Sequence, residues 1–380
     1  MKRPKDAGLM YVQKLGVHPA KRMQDFVKVF ERKYGYQASY DYLGTLDVLI
    51  DEGKIEEKYE FKNKDFEKSI LYTGMFDAEF IRKVANWITQ NKMFFGNKIL
   101  DVGCDCGIMS CFLASVLPDS EITSIDKGTN AIVVARQLAE KMKLSNITFL
   151  QDNVKTADLG VFDTVISMRT LQENREECAN PACWNIEEMC AHIRTEIVEY
   201  IKRLSELAGD AGNLIMIERS DIDPFFLAQL LELNENGRQI IKDTYQHIIT
   251  DEVGEESHFQ AGVYKRSEKQ SKENVKAFWD SCFNIDPNAK EYKEWDADYV
   301  LEDLHDKKTI REIRVYDGER ILGRFGLYED GEKYYCYLNN GSGELHKMFV
   351  GDVKNQGEFQ AALDKVVKDN RMWRVEDQKY

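Results

Sequence analysis

The sequence predicts an α/β protein: a mostly parallel, doubly wound sheet, with a mainly helical region before it and a small α+β domain after it. Between residues 86 and 267, short apolar strands alternate with helix-length amphipathic segments, the pattern of a sheet covered on both faces. Within that span "KILDVGCDCGIMSCFLA" (98–114) reads as a buried strand, a turn bearing Gly103 and Gly107, and a helix. Beyond residue 267, strand-like runs are separated by Asp317-Gly318, Asp330-Gly331 and Asn340-Gly341, which mark antiparallel hairpins.

Taken in order, residues 1–85 are mainly helical. Met23, Phe26, Val27, Phe30 and Tyr34 follow helical spacing after Pro19, and "YDYLGTLDVLIDEG" gives a second helix closed by Gly53. In "KIEEKYEFK" the alternation of Ile55, Tyr59 and Phe61 with charges predicts a short hairpin arm, and helix, glycine and strand together read as a winged-helix-like module for dimerisation or for covering a substrate. Phe76, Phe80, Ile81, Val84 and Ile88 form a further amphipathic helix. The central region, 86–267, contains the strands "KILDVG", "EITSID", "ITFLQD", "FDTVISM", "NLIMIER" and "FQAGVYKR", with helices around 107–117, 130–143, 184–208 and 224–236. "SEKQSKEN" is a polar boundary. After it, in 268–380, "TIREIRVYD", "RILGRFGLY", "KYYCYLNN" and "ELHKMFVG" read as strands and "EFQAALDKVVKDN" as a closing helix.

Composition narrows the function. The chain has 380 residues, 43% hydrophobic, enough for two or three domains with cores of their own. Its 66 acids against 52 bases give a net charge of −14, which disfavours nonspecific binding to nucleic-acid backbones or anionic membranes, so no DNA partner is expected. No apolar run approaches a membrane span, and the charged N-terminus lacks the apolar core of a secretory signal, so a cytoplasmic location is expected. The eight cysteines read as reduced, mostly buried thiols. Cys178, Cys183, Cys190 and His192 do not follow a usual zinc spacing, and no metal is expected.

Three acids recur at strand ends: Asp101, Asp126 and Asp152. In a doubly wound sheet the C-terminal strand ends line the ligand crevice. An acid after the second strand grips ribose hydroxyls, and one after the third, beside Asn153, can accept from an adenine amino group. A dinucleotide would place its pyrophosphate at the glycine turn, where Asp101 would repel it. The same carboxylate suits a ligand carrying ammonium and sulfonium charge, which points to S-adenosylmethionine (SAM).

"ILDVGCDCG", "ITSID" and "ITFLQDNV" closely resemble the class I SAM-dependent methyltransferases, over roughly 86–267. The resemblance implies a seven-stranded methyltransferase sheet with an antiparallel last strand. It also implies that Asp101, Gly103 and Gly107 border the methionine part of SAM, that Asp126 binds the ribose, and that Asp152 and Asn153 lie near adenine. Asp105 departs from the pattern by replacing the middle glycine. Asp tolerates a left-handed backbone better than most residues, so the turn survives, and its carboxylate is a candidate contact for the SAM ammonium.

The acceptor side is less legible. The Asp/Asn-Pro-Pro-aromatic tetrapeptide of amino-methylating enzymes is missing after the fourth strand, which argues against an adenine or glutamine nitrogen as acceptor. Arg169, Gln172 and Glu173 are placed at the pocket mouth. Should the acceptor need a general base, His247, His258 and Glu218 are candidates, with Arg169 as an orienting group. The reading that follows is a methyltransferase acting on a small-molecule substrate, with a homodimer through the N-terminal region as a further expectation. The alternatives are a protein or RNA acceptor, or a non-catalytic SAM-binding module.

Overall fold

The computed structural model describes residues 6–175, 186–220, 224–282, 290–293, 295–339 and 346–380. The chain divides into two compact units, one of Met1–Glu177, Glu196–Asp221 and Gln229–Gln270, the other of Cys178–Thr195, Ile222–Ala228 and Ser271–Tyr380.

The first unit opens with the helices α1 (Ala7–Lys14), α2 (Met23–Tyr34), α3 (Tyr36–Asp51), α4 (Ile55–Lys62), α5 (Phe66–Phe76) and α6 (Ala78–Gln90). There follow β1 (Lys98–Val102), α7 (Ile108–Val116), β2 (Glu121–Asp126), α8 (Thr129–Met142), β3 (Ile147–Gln151) and β4 (Thr164–Met168). Then come α9 (Ile186–Leu207), β5 (Asn213–Arg219), α10 (Pro224–Glu235), β6 (Arg238–Ile240), β7 (Gln246–Glu252) and β8 (Glu255–Arg266), with α9 and α10 divided between the units.

The sheet runs β3-β2-β1-β4-β5-β8-β6, with β7 paired to β8 off that path. Strands β3, β2, β1, β4 and β5 are parallel, and β8 runs antiparallel to β5. The sequence-read strands all form. The eighth strand is a difference from the expected seven: β6 is three residues long, and β6 and β7 gave no pattern that was read as a strand. Parallel pairing sets Asp101 opposite Ser124 and Asp126 opposite Gln151, so the acids cluster at one end of the sheet.

The expected hairpin arm is a helix. "KIEEKYEFK" forms α4, and among the described residues before 91 there is no strand, so the winged-helix-like reading fails. Glu and Lys are strong helix formers, and Glu56 and Glu57 occupy the first turn, where negative charge is favoured. The spacing Ile55, Tyr59, Lys62 aligns one helical face, and a two-residue alternation over so short a segment was coincidence.

The helical region shares its core with the sheet. Tyr11 on α1 donates to the Ile108 carbonyl at 2.5 Å and packs its ring edge-on against Phe112 at 5.0 Å. Trp87 on α6 donates to the Thr244 carbonyl at 2.9 Å, and Phe80 packs on Phe259 of β8 at 4.7 Å. Gly8 meets α6 so closely that a Cβ there would lie 2.0 Å from the Arg82 carbonyl oxygen.

In the second unit, α11 (Lys272–Ser281), β9 (Lys290–Lys293) and α12 (Trp295–Asp303) precede β10 (Lys308–Asp317), β11 (Arg320–Asp330), β12 (Lys333–Asn339) and β13 (His346–Gly351), followed by α13 (Gln356–Asp369) and β14 (Arg374–Lys379). They form an antiparallel sheet, β14-β10-β11-β12-β13-β9, with Phe359 and Leu363 of α13 packed in its core. The Asp-Gly turns at 317–318 and 330–331 are present, and the Asn340-Gly341 turn lies outside the described residues. The short edge strands β9 and β14 were not read from the sequence. Arg311, its side chain 2% exposed, ties β10 to β14 and α13 through Asp377 (2.8 Å) and Asp364 (2.7 Å).

Candidate active site

A cavity of about 480 Å³ lies in the first unit at the C-terminal ends of β1, β2 and β4, with residues of α4, α5 and α6 facing it. Asp101, Gly103, Asp105, Asp126, Asp152 and Asn153 all line it, and Gly107 sits behind the wall.

The floor is built by the turn after β1. Gly103 has φ +70, and a Cβ on it would stand 2.1 Å from the Thr170 Cγ2, so only glycine lets the β4 end close on the turn. Gly107, at φ +76, lets α7 start against α8, where a Cβ would lie 2.6 Å from that of Ala135. Asp101 is 1% exposed. Its Oδ2 accepts from Ser110 at 2.5 Å and Ser124 at 3.4 Å, while its Oδ1 has no partner among the described residues. Burial pushes its carboxyl up to about 7, with nearby Asp126 adding to the effect. Asp126 accepts the backbone N–H of Asp105 on Oδ2 and that of Gly128 on Oδ1, both at 2.8 Å. Burial raises its pKa as well. Asp152 is exposed, and its side chain accepts from the Asn153 N–H at 2.7 Å.

The roof is α4. Lys62, its side chain 5% exposed, donates to Asp105 Oδ2 at 2.5 Å, and Asn63 Nδ2 donates to Asp105 Oδ1 at 2.8 Å. Burial opposes both charges, but their mutual attraction outweighs it, raising Lys62 and lowering Asp105. Asp105 has φ 44, so the turn does adopt the left-handed backbone that glycine would supply. Its two oxygens each accept one hydrogen bond from the roof, so the carboxylate fastens α4 while still lining the cavity. Three further links hold α4 down. Tyr59 donates to Glu173 at 2.6 Å, Lys127 pairs with Glu56 at 2.5 Å, and Glu60 accepts the Thr129 and Asn130 N–H groups at 2.6 and 3.2 Å, at the positive end of α8.

The sequence-read acceptor groups separate. Arg169 lines the cavity at φ 61, donates to Asp77 at 2.7 Å, and lies over the rings of Phe80 and Phe259, so it orders the wall. Glu218 does not line the cavity. It accepts the Thr170 and Leu171 N–H groups at 2.9 and 3.0 Å and the Ser167 hydroxyl, positioning the segment after β4, and burial pushes it up to about 7. His247 Nε2 and His258 Nδ1 meet at 2.9 Å on β7 and β8, with His258 also on Glu256, and neither lines the cavity. Their place on the adjacent strands of a hairpin, turned towards each other, sets them apart from the cavity lining. Gln172 lies off the cavity and donates to the Arg219 carbonyl at 2.8 Å, whereas Glu173 lines it. Cys178 and Cys183 lie outside the described residues. Lys58, Tyr59 and Lys62 were missed, because the segment carrying them read as a strand.

A family model described as "Methyltransferase domain" matches residues 94–318, more than half of the chain. The chain belongs to this methyltransferase family. By family it is a methyltransferase. Similar curated proteins include the ribosomal RNA small subunit methyltransferase G of Coxiella burnetii, 33% identical over 21% of this chain and 40% of that one. Others are the release factor glutamine methyltransferase of Buchnera aphidicola (43% identical, 13% of this chain and 18% of that one) and the ubiquinone biosynthesis O-methyltransferase of Glaesserella parasuis (36%, 20% and 35%). The chain thus spans well under two thirds of these relatives' length. Among solved structures it is similar to the magnesium protoporphyrin IX methyltransferase of Synechocystis PCC 6803, at 18% identity and a TM-score of 0.38, over 59% of this chain and 96% of that one.

The residues present fit SAM. Asp101 offers an unpartnered buried oxygen to a cationic ligand, the glycine turn leaves room for close approach, and the cavity volume suits a nucleoside-sized molecule. Among the described residues no helix is long and apolar enough to cross a membrane.

Proposed function

We propose that this chain methylates a small-molecule acceptor held between the helices α4 to α6 and the strand ends. The observation that carries this reading is α4 itself, clamped over the glycine turn through Lys62 and Asp105 and onto the segment after β4 through Tyr59 and Glu173. A cavity roofed in this way suits an acceptor that fits inside it better than a folded macromolecule. The net charge of −14 supports the same preference over RNA.

SAM supplies an electrophilic methyl group on a sulfonium. Asp126 would hold the ribose hydroxyls, Asp152 and Asn153 the adenine, and the free oxygen of Asp101 the cationic methionine end. Tyr59, Tyr72, Phe76 and Phe80 line the wall and exclude water from the reacting centre. Such transfers depend chiefly on in-line positioning, with a base required only where the acceptor holds its proton at neutral pH.

The test is titration calorimetry with S-adenosylhomocysteine, followed by incubation of a cell extract with the protein and SAM labelled on its methyl group. Label in the small-molecule fraction supports the reading. Label in protein or RNA overturns it. Tight binding with label in neither fraction replaces it with a non-catalytic SAM-binding role.

A further inference from the structure

Four basic residues line the cavity: Lys58, Lys62, Lys127 and Arg169. Three are neutralised by carboxylates, Lys62 by Asp105 (2.5 Å), Lys127 by Glu56 (2.5 Å) and Arg169 by Asp77 (2.7 Å). Lys58 is different. Among the described residues no hydrogen bond or ion pair holds its Nζ, which lies over the ring of Tyr59 at 4.9 Å. It stands one helical turn before Lys62 on the same face of α4, so it is turned to the same cavity.

The absence of a partner is costly at this position. Burial, with Lys62 and Arg169 adding repulsion, pushes the Lys58 ammonium below its ordinary range, against which Glu173 acts only in part. Glu173 is itself engaged by the Tyr59 hydroxyl at 2.6 Å. A partly desolvated cation facing a cavity is stabilised by whatever anion enters that cavity. Two bound molecules could bring one, the cofactor with its methionine carboxylate and the acceptor. Glu173 and Arg169, whose charges act on Lys58, both follow β4, on the side assigned above to the acceptor, and the wall there is aromatic.

We propose that Lys58 binds an anionic group of the acceptor, which makes the acceptors of this enzyme small organic acids with an apolar, aromatic-sized body. The inference rests on the small-molecule reading and sharpens it. Lys58 acts in recognition, drawing the acid to the cavity and fixing the end of the molecule that does not react. It separates acids from neutral isosteres, because the latter leave the ammonium unpaired.

The experiment uses the full chain saturated with S-adenosylhomocysteine. Benzoate and 4-hydroxybenzoate are titrated against it beside their amides, in the wild type, Lys58→Met and Lys58→Arg. In the wild type the acids bind about tenfold or more tightly than the amides, as expected for one charge-assisted contact. That preference disappears in Lys58→Met and persists in Lys58→Arg, while affinity for S-adenosylhomocysteine is the same in all three, which also shows that the variants fold. Equal binding of acid and amide to the wild type, or no binding of either acid, overturns the proposal. So does a tenfold loss of S-adenosylhomocysteine affinity in Lys58→Met, which would assign the lysine to the cofactor's carboxylate. Failure of the wild type to bind S-adenosylhomocysteine at all would instead remove the cofactor pocket on which both readings stand.

Discussion

The floor and the roof of the cavity each take a carboxylate from the end of β1 and the turn after it, and they treat it in opposite ways. Asp101, in the floor, is buried against two hydroxyls with one oxygen unpartnered, and its pKa is raised to about 7. Asp105 follows four residues later, reaches the roof, and is held by Lys62 and Asn63 with its pKa lowered. The floor therefore keeps an uncompensated group ready for a cation, while the roof uses a compensated one to fasten a helix. One strand end and its turn thus provide both a ligand site and a latch, and the residue that departs from the glycine pattern serves the latch.

The strongest way to break this contrast is to strand Asp105. Lys62→Met leaves a carboxylate beside the protein interior without its cation, and is expected to lower unfolding free energy by about 3–5 kcal/mol in chemical denaturation. Adding Asp105→Asn to that variant should recover most of the loss, since the uncompensated charge is then gone. Equal stability of the single and double variants would mean that the pair contributes little and that the hydrophobic face of α4 holds the roof.

The floor is tested through its backbone. Gly103→Ala adds a methyl 2.1 Å from the Thr170 Cγ2 at a φ of +70. The clash and the left-handed backbone together should cost about 2–5 kcal/mol. Thr170→Ser removes the offending methyl while keeping the hydroxyl that meets Ser167 at 2.6 Å and Tyr200 at 2.7 Å. In the double variant the clash should vanish and the backbone share, about 1–2 kcal/mol, should remain. Full recovery would show that the turn tolerates alanine and that glycine is there for packing alone.

Asp101 and Asp105 also differ in the sign of their pH dependence. The folded chain holds the Asp101 proton up to about pH 7, whereas an unfolded Asp releases it near pH ~4. Its contribution to stability is thus full at low pH and is lost as pH rises through about 7. Asp105, lowered, contributes stability above the unfolded pKa and loses it as pH falls. Asp101→Asn imitates the protonated form, so its stability relative to the wild type should rise by about 4 kcal/mol between pH ~4 and pH ~8. It should be less stable than the wild type at pH ~4, by on the order of 2 kcal/mol for the cost of the buried amide, and more stable by a similar amount at pH ~8. A gap independent of pH would show that Asp101 is not the group titrating.

The floor was legible in the sequence because its chemistry is local. An acid at a strand end, glycines at fixed spacing and a following apolar helix are written within a few residues, and parallel pairing then brings Asp101, Asp126 and Asp152 to one edge. The roof was not legible, because its contacts join distant positions. Lys62 and Asp105 lie 43 residues apart, and Tyr59 and Glu173 lie 114 apart. No periodicity announces such pairs, and the alternation around Tyr59 pointed to a strand. The histidines illustrate the converse error, for a titratable side chain near the last strands is placed by the hairpin register, and here the register turns His247 and His258 towards each other. Edge strands as short as β6 and β9 carry too few side chains to show a pattern at all.

The finest test separates the roof as a structural cover from the roof as a barrier to ligand exchange. Burial and the neighbouring Glu173 hold the Tyr59 hydroxyl protonated far above neutral pH, so its hydrogen bond to Glu173 persists across the working range. Tyr59→Phe deletes that donor and keeps the ring beside the Lys62 ammonium, 4.9 Å away. Global stability should fall by no more than about 1 kcal/mol, as for one hydrogen bond at a partly exposed site. Dissociation of S-adenosylhomocysteine, followed by stopped-flow displacement, should accelerate by about fivefold, because the same energy then favours the open roof over the closed one. If dissociation is unchanged in Tyr59→Phe but accelerates in Lys62→Met, the exit barrier lies at the glycine turn alone. If neither variant changes it, α4 is a fixed wall, and the cofactor leaves by another side of the cavity.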